Sequence, residues 1–400
     1  MRILIASETY RPAANGQAVF TTQLAEGLAA AGHHVMVVLP SDRLRGSTRW
    51  QNGVRLAYLP AIPIGFPDSY FAPIVRPYAE RLIKSFKPDV VHIQDHYPFC
   101  RSFAAVARRH GLPTMGTNHF VPENVIHYIL PVKLGRRLMT RFLWWTMLSC
   151  YRRLDAVSAP SKTAIAILDE QQIDVPLYAI SCGVDVDRFS KETPAAAALA
   201  RQKYGIPSDK PVFLFVGRLA KEKRIEVIFE ALTLMDEDAV LVVTGHGPME
   251  TTLRRAVEHM DLQSKVVFTG WVPGEDLPEV LAAVDVFIMP SEAELLSIAT
   301  LEAMSAGKPI LVARAQALPE LVEEGVNGYT FEPRSASDLA IKMSGLISEQ
   351  DRWPAMGLAG QDRARYHQVE STIKRYERVY LRLKKAHGPV SEPASWAAAD

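Results

Sequence analysis

Val212-Phe-Leu-Phe-Val216-Gly217-Arg218-Leu-Ala-Lys221-Glu222-Lys223-Arg224 is the stretch that decides how the rest of this chain is read. Five apolar residues, four of them β-branched or aromatic, are too short a run for a helix and suit a strand buried on both faces. A glycine then turns the backbone, a helically spaced apolar run follows near Ile225 to Met235, and Val240 to Thr244 returns as a second apolar strand. Strand, helix and strand make a βαβ unit. Toward the C-terminus the same grammar continues through Val266 to Phe268, Val286 to Met289 and Ile310 to Ala313. Toward the N-terminus it appears as strand Arg2 to Ser7, a helix of roughly Val19 to Ala31 stopped by Gly32, and strand His34 to Leu39. Val90 to Ile93, Ser102 to His110 and Pro113 to Thr117 extend that first set.

The spacing therefore predicts an α/β chain of two doubly wound, Rossmann-like domains, 1–184 and 185–370, joined near the Pro, Ala and Ser-rich stretch Ser190 to Asp209. A periodic, basic helical run, 371–386, is expected to pack back on the first domain. The tail 387–400, with Pro389, Pro393 and three consecutive alanines, is expected to be disordered.

Composition bounds the function. The 400 residues are 48% hydrophobic and 22% charged, which excludes fibrous and unfolded chains. Forty-five basic against 44 acidic residues leave no whole-protein field to attract nucleic acid, so no nucleic-acid partner is expected. The balance hides an asymmetry: residues 1–180 hold 20 basic and 12 acidic residues, the remainder 25 and 32. Three scattered cysteines, Cys100, Cys150 and Cys182, form neither a disulfide framework nor a zinc pattern, which fits a reducing cytoplasm. The N-terminal apolar run is too short for a signal peptide, and the most apolar window, Phe142 to Cys150, is closed by Arg141 and Arg152.

In open α/β sheets, ligands gather beyond the C-terminal ends of strands, where helix starts and loop amides favour anions. The loop after Val216 carries Arg218 and Lys223 at a helix start, where cations oppose the helix dipole. A bound diphosphate accounts for them, Arg218 forking two oxygens and Lys223 acting as a point charge. Turns with glycine follow the next two strands, at Thr244-Gly245-His-Gly247-Pro and Thr269-Gly270-Trp271-Val272-Pro. None fits the dinucleotide fingerprint, so NAD is not expected. The fullest constellation is Pro290-Ser-Glu-Ala-Glu294-Leu-Leu296-Ser297-Ile298-Ala-Thr-Leu-Glu302, an acidic loop feeding a helix capped by Ser297. Glu294 lies at the strand tip, and Glu302 among apolar helix residues needs a polar partner such as ribose hydroxyls.

Glu294 and Glu302 at this spacing, Gly217-Arg218 with Lys223, Gly245-His-Gly-Pro, Gly183-Val-Asp185, Gly32-His-His-Val and Leu318-Pro-Glu-Leu-Val-Glu-Glu-Gly325-Val-Asn-Gly328 together resemble the family 4 retaining glycosyltransferases of GT-B fold. The resemblance runs from residue 1 to about 380. It implies two Rossmann-like domains facing across a cleft, and a nucleotide-sugar co-substrate with no cofactor. Arg218 and Lys223 would bind the diphosphate, Glu302 the ribose, and the backbone near Trp271 and Val272 the base. Glu294, with the amides of Leu296, Ser297 and Ile298, would hold the transferring sugar and distal phosphate. Gly16 would approach the diphosphate from the first domain, and His119 would face the sugar. Two positions depart from the family pattern: Asn15-Gly16 replaces a glycine pair, and Leu295 and Ser297 replace residues of a Glu-Gly-Phe-Gly motif. These departures bear on which sugar is taken.

No metal is expected. Asp185-Val-Asp187 falls at the interdomain connection, and His92, His96 and Asp95 read as structural or as lining the acceptor side. Between His119 and Asp155, a basic amphipathic helix places Lys133, Arg137, Arg141 and Trp144 on one stripe, which suits an anionic membrane surface. The expected function is thus transfer of a hexosyl group from a UDP- or GDP-sugar to a hydroxyl acceptor, a membrane lipid or lipid-linked glycan, at the inner face of the cytoplasmic membrane. The alternatives are a catalytically silent nucleotide-sugar-binding scaffold and a GT-B sugar-nucleotide epimerase.

Overall fold

The apolar runs become strands of two separate sheets in the computed structural model, which describes residues 1–10, 16–63, 70–123, 133–191 and 193–388, with the side chains of 133 and 134 excepted. The chain divides into two units, Met1–Ser181 with the residues from Val369 on, and Cys182–Gln368.

In unit 1 the elements are β1 (Arg2–Ala6), α1 (Gly16–Ala30), β2 (His34–Pro40), β3 (Ser47–Gln51), β4 (Val54–Leu59), a short pair β5 (Ile62–Pro63) and β6 (Tyr70–Phe71), α2 (Arg76–Phe86), β7 (Val90–Ile93), α3 (Pro98–Arg109), β8 (Thr114–Thr117), α4 (Lys133–Tyr151), β9 (Ala156–Ala159), α5 (Lys162–Asp169) and β10 (Leu177–Ala179). The main sheet has the order β10-β9-β8-β7-β1-β2-β4-β3. All its pairs are parallel except the β3–β4 hairpin at the edge. That hairpin turns on Asn52 and Gly53, both at positive φ, the geometry in which a two-residue turn matches strand twist. The strand order reverses at β1, which pairs with β2 on one side and β7 on the other, so the residues after β1 and β7 meet at a switch point.

Unit 2 comprises α6 (Val186–Phe189), α7 (Pro194–Tyr204), β11 (Val212–Val216), α8 (Glu226–Thr233), β12 (Val240–Thr244), α9 (Glu250–His259), β13 (Val266–Gly270), α10 (Leu277–Ala282), β14 (Val286–Met289), α11 (Ile298–Ser305), β15 (Ile310–Ala313), β16 (Gly328–Phe331), α12 (Ala336–Ser348) and α13 (Trp353–Arg365). Its all-parallel sheet runs β13-β12-β11-β14-β15-β16, with the switch between β11 and β14. The central strands β11, β14 and β15 are apolar throughout because helices cover both faces, and Phe213, Leu214 and Phe287 are wholly buried. The stretch 190–209, expected as a connection, holds a helix instead. Thr193 accepts the Ala196 amide as N-cap, Pro194 begins α7, and Gly205 at φ +69° ends it, so alanine-rich composition here means helix.

The last helix, α14 (Val369–His387), belongs to unit 1. Gly27 of α1 leaves room for Ile373, where an added Cβ would come within 2.7 Å of its side chain. Tyr376 and Tyr380 are fully buried. The Tyr380 hydroxyl meets His92 Nδ1 at 2.7 Å, and His92 Nε2 meets Thr117 Oγ1 at 2.7 Å. Ser158 Oγ continues the network to Thr117 at 2.8 Å and to the Tyr376 hydroxyl at 3.1 Å. A fully paired polar network of this kind fixes one register of the helix on the sheet. The tail expected at 387–400 lies outside the described residues beyond Gly388, and His387 closes α14.

Candidate functional site

At the switch point of unit 2 the loop after β11 is sewn to its neighbours by backbone bonds. Gly217 donates to the Thr244 carbonyl at 3.0 Å, Leu219 to that of His246 at 2.9 Å, and Gly245 to that of Gly270 at 2.8 Å. The glycines are needed for this closeness: a Cβ at Gly245, which sits at φ +132°, would fall 2.0 Å from the Gly217 oxygen, and one at Gly247 would fall 2.3 Å from that of Leu219. His246 Nε2 receives the Trp271 amide at 3.2 Å. Trp271 is 58% exposed beside this seam, while Val272 is buried.

Lys221–Lys223 form a single 3-10 turn, and Arg224 in the left-handed conformation redirects the chain before α8 begins at Glu226. The cations thus stand ahead of the helix and are met by carboxylates. Arg218 reaches Glu222 at 2.8 Å. Arg224 and Arg334 converge on Glu292, at 2.8 and 2.9 Å, and hold its carboxyl below the ordinary range against the opposing effect of burial. The Glu292 amide in turn donates to the Glu222 carbonyl at 3.1 Å, which fastens the acidic loop to the basic one. Lys223 pairs with Glu294, both side chains being less than one-fifth exposed.

The loop then enters α11. Ser297 caps it, accepting the Thr300 amide at 3.2 Å and the Thr300 hydroxyl at 2.8 Å. The remaining first-turn amides, Ile298 among them, have no intrahelical acceptor and point out of the helix start, where an anion is favoured. Leu295, Leu296 and Ser297 are buried, and Glu302 lies partly buried one turn further on. The structure thus places Arg218, Lys223, Glu294, Leu296, Ser297, Ile298 and Glu302 on the segments that follow the central strands β11 and β14, with Trp271 and Val272 on the adjoining seam. Glu222, Glu292 and Arg334 were missed by the sequence reading. Their signal was only that a cluster of cations in a semi-enclosed loop needs counter-charge.

Unit 1 has its own polar cluster at the β1/β7 switch. Asp95 accepts the Tyr97 amide at 3.0 Å and the Gln17 amide group at 3.2 Å. Burial raises both Asp95 and Glu8; the Asp95 charge adds to the rise of Glu8, while hydrogen bonds from the Tyr97 amide and Gln17 hold back part of the rise of Asp95. His119 follows β8, bonds Gln94 at 3.0 Å, and lies 5.1 Å from the Phe20 ring. Desolvation pushes His119 and His92 down to about 3 and His96 to about 4, so all three are neutral imidazoles at pH 7. Gly16 is the exposed first residue of α1, with open space where a side chain would stand. Glu8 and Gln17 were not singled out from the sequence, although a carboxylate directly after a buried strand is the readable sign.

One expectation is corrected by the placement of a side chain. Trp144 does not face outward with Arg137 and Arg141: it is 8% exposed and donates its indole N–H to Glu123 at 2.8 Å. The outward apolar residues of α4 are Leu138, Phe142 and Trp145. Arg137 and Arg141 are exposed, and the side chain of Lys133 lies outside the described residues. Asp185 is the N-cap of α6, taking the Arg188 amide at 3.0 Å, which accounts for the first half of the Asp-x-Asp pair.

Residues 14–188 match the sequence profile described as glycosyltransferase family 4, and residues 197–363 match that of glycosyl transferases group 1. The chain belongs to the family 4 glycosyltransferases. This glycosyltransferase is 27% identical over 338 residues to the alpha-monoglucosyldiacylglycerol synthase of Streptococcus pneumoniae, across 83% of this chain and 75% of that one. It is 28% identical to the GDP-mannose-dependent alpha-mannosyltransferase of Mycolicibacterium smegmatis, across 88% and 90%. In fold it is similar to HepE of Anabaena, solved in complex with UDP-glucose, with TM-score 0.75 and 19% identity across 96% of this chain and all of that one. The fold is GT-B. No helix among the described residues is long and apolar enough to cross a membrane.

Proposed function

We propose that this glycosyltransferase moves a hexosyl group, with retention of configuration and without a metal, from a UDP- or GDP-sugar to a hydroxyl of a membrane lipid or lipid-linked glycan. The observation that carries the donor half is the Lys223–Glu294 pair at the β11/β14 switch, beside Arg218 and the start of α11. A diphosphate arriving there competes with Glu294 for the Lys223 ammonium, and Glu294, once released, accepts hydroxyls of the sugar. Glu302 holds the ribose, and the seam at Trp271 and Val272 the base. Names of relatives support both donor bases: one is GDP-mannose-dependent, and a fold neighbour was solved with UDP-glucose.

In the reaction the C1–O bond to the diphosphate breaks and a new C1–O bond forms to the acceptor on the same face of the sugar. The acceptor proton passes to the leaving phosphate oxygen. Negative charge grows on that phosphate, and Arg218, Lys223 and the α11 amides stabilise it where it grows. Cationic side chains take the place that a divalent metal occupies in other transferases.

The lipid acceptor is supported by the outward Leu138, Phe142 and Trp145 beside Arg137 and Arg141, and by the diacylglycerol named in one relative. Release of nucleoside diphosphate from a panel of UDP-, GDP- and ADP-sugars, with and without lipid vesicles, is the test. Cleavage of one donor, abolished by Arg218→Ala and stimulated by vesicles, is the expected result. A chain that is stabilised by UDP or GDP and cleaves no donor with any acceptor lipid present is a binding protein, and the reading fails.

A further inference from the structure

On α4 the exposed Leu138, Phe142 and Trp145 lie within one arc of the helix at about 100° per residue, and that arc continues to Ser149 and to Arg153 just beyond the helix end. The face leads into a pocket of about 350 Å³ where α3 meets the end of α4, lined by Arg101, Arg108, Arg109, Arg153 and Ser149 among others, with no carboxylate in the lining. Arg101 donates to the Thr146 carbonyl, yet its Nε is buried with no acceptor among the described residues. Arg109 has Glu80 at 3.4 Å, a contact that Glu80 shares with Lys84 and His110. Arg108 and Arg153 are exposed.

Four guanidinium groups around one cavity repel each other, and the Arg101 bond to the Thr146 carbonyl and the Arg109 contact with Glu80 offset only part of that repulsion. A phosphate satisfies them, since the planar fork of arginine matches its oxygens in pairs. The neighbouring stripe says which phosphate. Three large apolar side chains left in water, leading straight to a cationic pocket, match the boundary of an anionic bilayer, where acyl chains lie beside charged headgroups. Unit 1 as a whole holds 26 basic and 16 acidic residues, so its field draws it to such a surface.

We propose that the arginine pocket between α3 and α4 binds the headgroup phosphate of an anionic phospholipid, with Leu138, Phe142 and Trp145 entering the acyl boundary beside it. This deepens the lipid-acceptor reading and rests on it. The pocket shares no residue with the proposed donor site, and its task is to hold the enzyme on the surface that supplies the acceptor.

Co-sedimentation of the full chain with phosphatidylcholine vesicles, with or without phosphatidylglycerol, tests the site. Binding is expected only with phosphatidylglycerol, and Arg108→Ala with Arg153→Ala should weaken it at least about tenfold. Arg43→Ala with Arg45→Ala removes the same charge from another exposed part of unit 1 and should change binding by no more than about twofold. Equal losses from both pairs, or none from the pocket pair, overturn the proposal. So does a small-anion result: inorganic phosphate raising the melting temperature of the wild type but not of the pocket variant, with no vesicle binding. Thermal melting of each variant checks that it is folded. Donor cleavage is read without vesicles. If no donor is cleaved the enzymatic reading fails whatever the vesicles do, and if donors are cleaved while phosphatidylglycerol vesicles do not bind, the lipid site alone fails.

Discussion

Glu294 and Lys223 neutralise each other in a site where each is proposed to serve a different part of the donor. A charge held this far from water is costly unless paired, so the two side chains remain positioned through their own ion pair until a ligand divides them. Glu294→Gln keeps the shape and removes the charge. Turnover should fall about 100-fold, because a contact proposed to matter most in the transition state is lost. Nucleoside diphosphate affinity should hold or rise, since Lys223 no longer has a competitor. Initial rates and calorimetric titration on the same preparation decide it: affinity falling together with rate would mean that Glu294 serves only to hold the loop. The neighbouring Leu295 and Ser297, which depart from the family pattern, are buried, Ser297 as the α11 cap.

The loops proposed to bind the donor act as one element because their backbones touch. Gly217, Gly245 and Gly270 are consecutive links in a row of hydrogen bonds across the tips of β11, β12 and β13. A methyl at Gly245 would meet the Gly217 oxygen and would force an alanine into positive φ. Gly245→Ala should therefore lower unfolding free energy by at least about 2 kcal/mol and weaken nucleotide binding together with it. Denaturant unfolding and nucleotide titration measure both, and an unchanged midpoint would remove the argument. The sequence carried much of this at the scale of elements. The strands Val212–Val216, Val240–Thr244, Val286–Met289 and Ile310–Ala313 are legible because both faces are covered, so every position but Thr244 is apolar. The β3–β4 hairpin was passed over although Asn52-Gly53 announces it, because its outer strand is polar and exposed. Helix α7 was hidden by a composition that serves connections and helices alike.

Across the whole molecule a net charge of +1 conceals two opposite units, +10 from 26 basic and 16 acidic residues in unit 1 and −9 from 19 and 28 in unit 2. Unit 1 also holds buried titratable groups that tie its sheet to α14. His92, with no exposed surface, is pushed from 6.5 down to about 3 by burial. The folded state resists the proton that the unfolded chain accepts, so its share of stability is complete above pH 6.5 and is lost as pH falls toward 3. The loss is about 1.4 kcal/mol per pH unit. His96 and His119 act in the same direction. Glu8 and Asp95, raised by burial, act oppositely: their contribution is greatest at low pH and is lost as pH rises above the ordinary carboxylate range. His92→Gln, which keeps polar atoms for Tyr380 and Thr117, should flatten the decline between pH 6.5 and 4 by about that slope. Denaturation curves across this range would show it, and parallel curves for wild type and variant would remove His92 from the account.

The sequence by itself determined the two Rossmann-like sets of strands and helices, the family, and the residues proposed for the donor in their order along the chain. These follow from local periodicity, from glycines at strand ends and from motif spacing, all written within short stretches. Only the tertiary structure decided which charges meet. Lys223 and Glu294 are 71 positions apart, and Glu292 and Arg334 are 42 apart, so no window of sequence pairs them. It likewise decided which tryptophan of Trp144-Trp145 faces water. Neighbouring residues on a helix differ by about 100°, and the side that is buried is set by what α4 packs against. The arginine pocket has the same origin, since α3 and α4 each read as ordinary basic helices until their ends are brought together.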